Sequence, residues 1–145
     1  MKKISQLVSL RDLDGFKDPR DCLQSKIFMN KFYELINEDK NKFNLCIYCN
    51  QLYTDTQSQW MRCPNFQENT ILIDVYGREI AQHEADPSWN IQAFIQFLKS
   101  NTVSWRWIFW KFWARLQTDE CKVCGDMFTS AEMNHCMYHT EKPFF

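Results

Sequence analysis

Three stretches of this 145-residue chain repeat apolar residues at helical spacing. In the first, Phe28, Met29, Phe32, Leu35 and Ile36 fall on one face, which predicts an amphipathic helix over residues 19–38. Asp18-Pro19 supplies an N-cap followed by proline at the first helical position, and the charged run from Glu38 to Lys42 supplies the exit. In the second, Trp89, Ile91, Phe94, Ile95 and Leu98 predict a helix over about 89–100, opened by Asp86-Pro87-Ser88. Asn101-Thr102-Val103-Ser104 breaks it, and Ser104 caps a third helix to about Gln117. A β-branched run from Thr70, with Tyr76-Gly77-Arg78 at or near a turn, predicts a β-hairpin ending at His83. Residues 1–17 carry mixed charge and no period, and read as a loose lead-in. Residues 18–145 read as a single α+β domain with about three main helices and one hairpin.

The third helix has an unusual composition. Trp105, Ile108, Phe109, Phe112 and Leu116 share one face at 100° per residue. Trp107 and Trp110 lie roughly opposite, flanked by Arg106, Lys111 and Arg115. One reading is a helix buried almost all round, with tryptophan as core filler. The other leaves Trp107 and Trp110 exposed as a protein-binding surface with the three cations, since tryptophan beside arginine is common at interface hot spots. The same mixture can stack on single-stranded bases.

The composition is 45% hydrophobic and 16% aromatic, enough for a packed core. A formal charge of −1, from 17 basic and 18 acidic residues, gives no global pull on nucleic acid. The seven cysteines do not read as a secreted disulfide framework. Their number is odd, several come in Cys-x2-Cys pairs, and the apolar start Ile4–Leu10 is broken at Arg11-Asp12, unlike a secretory signal. These features favour an intracellular reducing compartment. No membrane span is expected, because the most apolar window, Trp105 to Trp113, is interrupted by Arg106 and Lys111.

The candidate chemistry lies in the thiols. Cys121-x2-Cys124 is followed by His135, Cys136 and His139. Two thiols on a tight turn and a second donor pair across a short spacer are what a tetrahedral zinc ion takes. The preferred set is Cys121, Cys124, Cys136 and His139, within a C-terminal knuckle at 119–145; His135 is the alternative, giving a Cys2His2 site. Cys46-x2-Cys49 and Cys63 form a second cluster, with His83 favoured as its fourth donor over Cys22. The sequence thus predicts one zinc ion at the C-terminal set and admits a second at the other. Either set fills all four positions of zinc, which makes the metal structural rather than catalytic.

The order of motifs carries a resemblance. It runs through the Ser25-Lys-Ile-Phe28 helix, Cys46-x2-Cys49 with Leu52-Tyr53, Ile73-Asp74-x2-Gly77, His83-x2-Asp86-Pro87-x-Trp89, Ser104-Trp105-x3-Phe109-Trp110-x2-Trp113 and the closing Cys/His set. From about residue 18 to the end, this resembles the region that follows the BTB domain in the SANT and BTB domain-containing regulators of class-switch recombination. The resemblance implies a nuclear, non-enzymatic protein of transcription regulation that acts through protein partners. No SANT-like three-helix pattern and no BTB-like segment stands ahead of residue 18, and dimerisation in that family is expected from the BTB part. His139-Thr-Glu-Lys-Pro-Phe144 is also similar to the linker of DNA-binding Cys2His2 fingers, although ten residues before His135 is short for a finger helix.

Two functions remain open from the sequence. The first is a zinc-stabilised protein-interaction module; the second is a nucleic-acid-binding zinc protein that uses the aromatic-basic helix 104–117. An enzyme is not expected, since no nucleophile elbow, phosphate loop or His-Glu-x2-His pattern occurs.

Overall fold

The computed structural model describes residues 17, 19–65, 71–73, 75, 77 and 79–132. Helix α1 spans Cys22–Ile36 and so starts later than the period predicts. Asp21 stands before it in the left-handed region (φ 48°), and a right-handed helix cannot continue back through that residue to Pro19. Helix α2 spans Ile91–Ser100. Its cap is Asn90 rather than the Asp86–Ser88 start: the Asn90 side-chain oxygen accepts the N–H groups of Gln92 at 2.8 Å and Ala93 at 3.1 Å. Asp86 instead closes a turn of its own, accepting the Ser88 N–H at 2.8 Å and the Ser88 hydroxyl at 2.6 Å. Helix α3 spans Trp105–Leu116 and is capped by Ser104, whose hydroxyl oxygen accepts the Trp107 N–H at 3.2 Å.

Three two-stranded antiparallel ladders complete the described architecture: β1 (Phe43–Leu45) with β2 (Leu52–Thr54), β3 (Ile71–Ile73) with β4 (Glu79–Ala81), and β5 (Thr118–Glu120) with β6 (Met127–Thr129). The β3–β4 pair is the predicted hairpin, with Gly77 at φ 77° between its strands. The other two ladders add to the single hairpin expected. Each brackets a Cys-x2-Cys pair, so both knuckles sit on short hairpins.

Helix α3 is the centre of the apolar core. Ile108, Phe109 and Phe112 are buried on the face that the helical period predicts. Phe109 meets Phe28 of α1 with ring centroids 5.6 Å apart, and Phe112 meets Phe32 of α1 edge-on at 5.1 Å and Phe43 of β1 at 4.9 Å. Helix α2 adds Ile95 and Leu98 to the same cluster. Burying a phenylalanine contributes about 1.5–3 kcal/mol, so this aromatic set outweighs any single polar contact in the fold.

All three residues of β2 are buried because both of its faces are covered. Leu52 faces the helical core, whereas Tyr53 belongs to a second, smaller cluster with Cys46, Met61, Cys63 and Ala81. Alternation along a strand thus separates an apolar core from a thiol-rich one. Among the described residues no helix is long and apolar enough to cross a membrane.

Candidate metal centre

Cys46 follows β1 directly and begins a tight turn. Its N–H bonds to the Gln51 carbonyl at 3.0 Å, and the Asn50 N–H returns to the Cys46 carbonyl at 3.0 Å. Asn50 takes the left-handed backbone (φ 56°) that lets the chain reverse into β2, a conformation asparagine tolerates better than most residues. Cys63 arrives from another direction, its N–H bonded to the Ala81 carbonyl at 2.8 Å beside an Arg62–Gln82 bridge. The segment after β4 then runs along the knuckle: Ile47 N–H bonds to the Glu84 carbonyl at 3.0 Å and Asp86 N–H to the Leu45 carbonyl at 2.8 Å. The Tyr48 hydroxyl, donating to Glu84 at 2.9 Å, fixes the same contact from the side. Residues 82–86 are therefore laid between the knuckle and the Cys63 segment, and His83 projects into the gap.

The ligand atoms of Cys46, Cys49, Cys63 and His83 all lie within 4.8 Å of one another. The Cys46 and Cys63 sulfurs are 3.9 Å apart, and the Cys49 sulfur is 3.4 Å from His83 Nδ1. A tetrahedral ion with bonds of about 2.3 Å to sulfur places its ligand atoms about 3.8 Å apart, so these spacings fit one ion. Cys46 and Cys63 are fully buried, His83 is 7% exposed and Cys49 is half-buried.

The electrostatics point the same way. Burial pushes the Cys49 and Cys63 thiols up, and the charge of neighbouring thiols adds to this. Burial acts upward on Cys46 too, but the N–H groups of Cys49, Glu84 and Tyr48 directed at its sulfur outweigh it and leave this thiol lowered. Burial holds His83 below the ordinary imidazole range, which keeps it neutral and able to donate a lone pair. The Tyr53 ring stacks on His83 at 5.0 Å, and its own hydroxyl is pushed up to about 12, chiefly by burial. Three thiols that resist ionising together, beside a neutral imidazole, form a donor set that a divalent cation would stabilise. A Cys3His cluster able to hold one metal ion is thus present.

The other predicted residues are distributed differently. Cys22 is exposed at the start of α1, with its sulfur 3.4 Å from the Arg20 carbonyl, and is not part of the cluster; His83 is the fourth member instead. Cys121 and Cys124 sit half-buried on the β5–β6 hairpin, while His135, Cys136 and His139 lie outside the described residues. The two tryptophans of α3 part company. Trp107 is 48% exposed with the Lys111 ammonium 4.8 Å above its ring, whereas Trp110 packs edge-on against Phe109 and Trp113 at 5.2 Å each. Arg106 is exposed, but Arg115 is half-buried and pairs with Glu132 at 3.6 Å. Sequence reasoning missed the Glu84 N–H that faces the Cys46 sulfur beside those of Cys49 and Tyr48, because it comes from the segment after β4 rather than from the turn itself.

No protein-family model matches the chain, and no solved structure matches it.

Proposed function

We propose that this chain is a zinc-stabilised, non-enzymatic protein-interaction module of a nuclear regulatory protein resembling the SANT and BTB regulators. The observation that supports it most is the convergence of Cys46, Cys49, Cys63 and His83 within 4.8 Å. Three sulfurs and one imidazole nitrogen suit Zn2+ better than magnesium or calcium, which take oxygen. Four protein donors leave no position for a water, so the ion's work is to tie β1–β2, the Cys63 segment and the His83 segment together. The interaction role draws on the exposed part of α3, where Trp107 and Lys111 stack and Arg106 reaches solvent. The commitment of Arg115 to Glu132 removes one cation from a nucleic-acid face and favours a protein partner.

Purified chain should carry zinc that a strong chelator removes, with loss of near-ultraviolet circular dichroism and of hydrogen-exchange protection across residues 43–54 and 81–86. A native-like spectrum in the metal-free chain would overturn the reading. Retention on single-stranded DNA that falls steeply with salt would transfer the function to nucleic-acid binding.

A further inference from the structure

The knuckle of the metal centre occurs twice. An offset of 75 positions takes Cys46 to Cys121 and Cys49 to Cys124. The same offset carries β1–β2 onto β5–β6 pair by pair: Phe43 opposite Thr54 becomes Thr118 opposite Thr129, and Leu45 opposite Leu52 becomes Glu120 opposite Met127. The hydrogen bonds of the turn correspond as well. Cys121 N–H bonds to the Asp126 carbonyl at 2.8 Å, as Cys46 does to Gln51, and Gly125 N–H returns to the Cys121 carbonyl at 2.8 Å, as Asn50 does to Cys46. The residue after the second cysteine is left-handed in both, Asn50 at φ 56° and Gly125 at φ 73°. The likeness continues past the ladder, where Thr54 N–H bonds to the Gln57 side chain at 2.9 Å and Thr129 N–H to the Glu132 side chain at 3.2 Å.

Across residues 42–57 and 117–132, the identical pairs at this offset are Cys46/Cys121, Cys49/Cys124 and Thr54/Thr129. The side chains of β1 and β5 differ at every position, while the two thiols, the threonine that ends each hairpin and the backbone that presents them are kept. A hairpin turn that served only to reverse the chain would not need two cysteines at the same two places. We infer that the chain contains a duplicated metal knuckle and that Cys121 and Cys124 supply two donors to a second zinc-class divalent ion. This rests on the first cluster being a metal centre. Further donors follow in the sequence at comparable distance: Cys63 comes 14 positions after Cys49, and Cys136 and His139 come 12 and 15 positions after Cys124.

The copies are joined through α3. The Gln57 side chain donates to the Arg115 carbonyl, and Glu132, its counterpart, pairs with the Arg115 guanidinium. Arg62, next to Cys63, also pairs with Asp126 of the second turn at 3.0 Å.

Zinc per chain, read by native mass spectrometry of the whole wild-type chain with Cys49→Ser and Cys124→Ser beside it, tests the inference. Two ions in the wild type and one in each variant are expected. One ion in the wild type, kept in Cys124→Ser and lost in Cys49→Ser, would overturn the second knuckle and leave the first centre standing. One ion with the reverse pattern would overturn the first centre and uphold Cys121 and Cys124 as ligands. Should either variant fail to fold, cadmium-113 resonances of the substituted wild type decide alone: two sulfur-shifted signals support the duplication and one overturns it.

Discussion

The two knuckles share a backbone and differ in almost everything around it. In the first, Cys46 is 0% exposed, residues 82–86 run alongside, and Tyr53 covers the imidazole of His83. In the second, Thr118, Asp119 and Glu120 are all exposed, and Val123, within the turn, is 68% exposed. The turn is thus a local property of two cysteines and a left-handed residue, whereas burial is conferred by segments that come from far along the chain. The first knuckle is enclosed by the fold, whereas the turn of the second stands open and the Thr129 end of its hairpin is buried.

That contrast can be tested by equivalent substitutions in the two copies. Gln57→Ala leaves the buried Thr54 N–H and the Arg115 carbonyl without their partner, at a cost of about 1–3 kcal/mol. Glu132→Ala leaves the Thr129 N–H and hydroxyl and the half-buried Arg115 guanidinium without the carboxylate, and should also cost about 1–3 kcal/mol. Urea midpoints measure both, and a loss confined to one copy would show that the two hairpins are not anchored to α3 alike. The left-handed positions come next. Gly125→Ala should destabilise by about 1 kcal/mol through backbone strain alone, since an added Cβ would meet only Glu120 Oε1 at an ordinary 3.7 Å. Asn50→Gly should stabilise by a few tenths of a kcal/mol, about the cost asparagine carries there; a loss instead would show that the Asn50 side chain acts in the first copy.

The smallest effect concerns pH. The Ser88 hydroxyl and N–H hold the Asp86 carboxyl below the usual aspartate range. Because the folded value is depressed, this stabilisation is complete above the unfolded pKa of about 3.9 and is lost as pH falls through the folded value. The stability difference between wild type and Asp86→Asn should therefore shrink toward acid, and a difference independent of pH would remove Asp86 from the account.

Much of this architecture was legible in the chain. The three helices were visible because long apolar periods leave little choice, and His83 was reachable because a hairpin end delivers a residue back to a knuckle. The helix starts were less legible. Aspartate and serine at 86–88 and asparagine at 90 are all good caps, and only the path of the chain decides that Asn90 faces the free N–H groups. The β1–β2 and β5–β6 ladders were hidden because three-residue strands are too short to show alternation, and β2 is buried on both faces. The duplication was hidden for the same reason, since its strands retain the pairing but only one side chain, the threonine at 54 and 129.

Cys63 and His83 meet at one centre although they stand 20 positions apart in the chain. In polymer terms, an ion bound there would be the clasp of a closed loop. Closure entropy grows with the logarithm of length, so doubling such a loop costs only about 0.6 kcal/mol. Its tip has room as well, with Val75 93% exposed and nothing within 4 Å of a Cβ placed on Gly77. Once the clasp is shut, loop length is nearly a free variable, and the hairpin tip is the place where evolution or an engineer can add chain without loosening the fold.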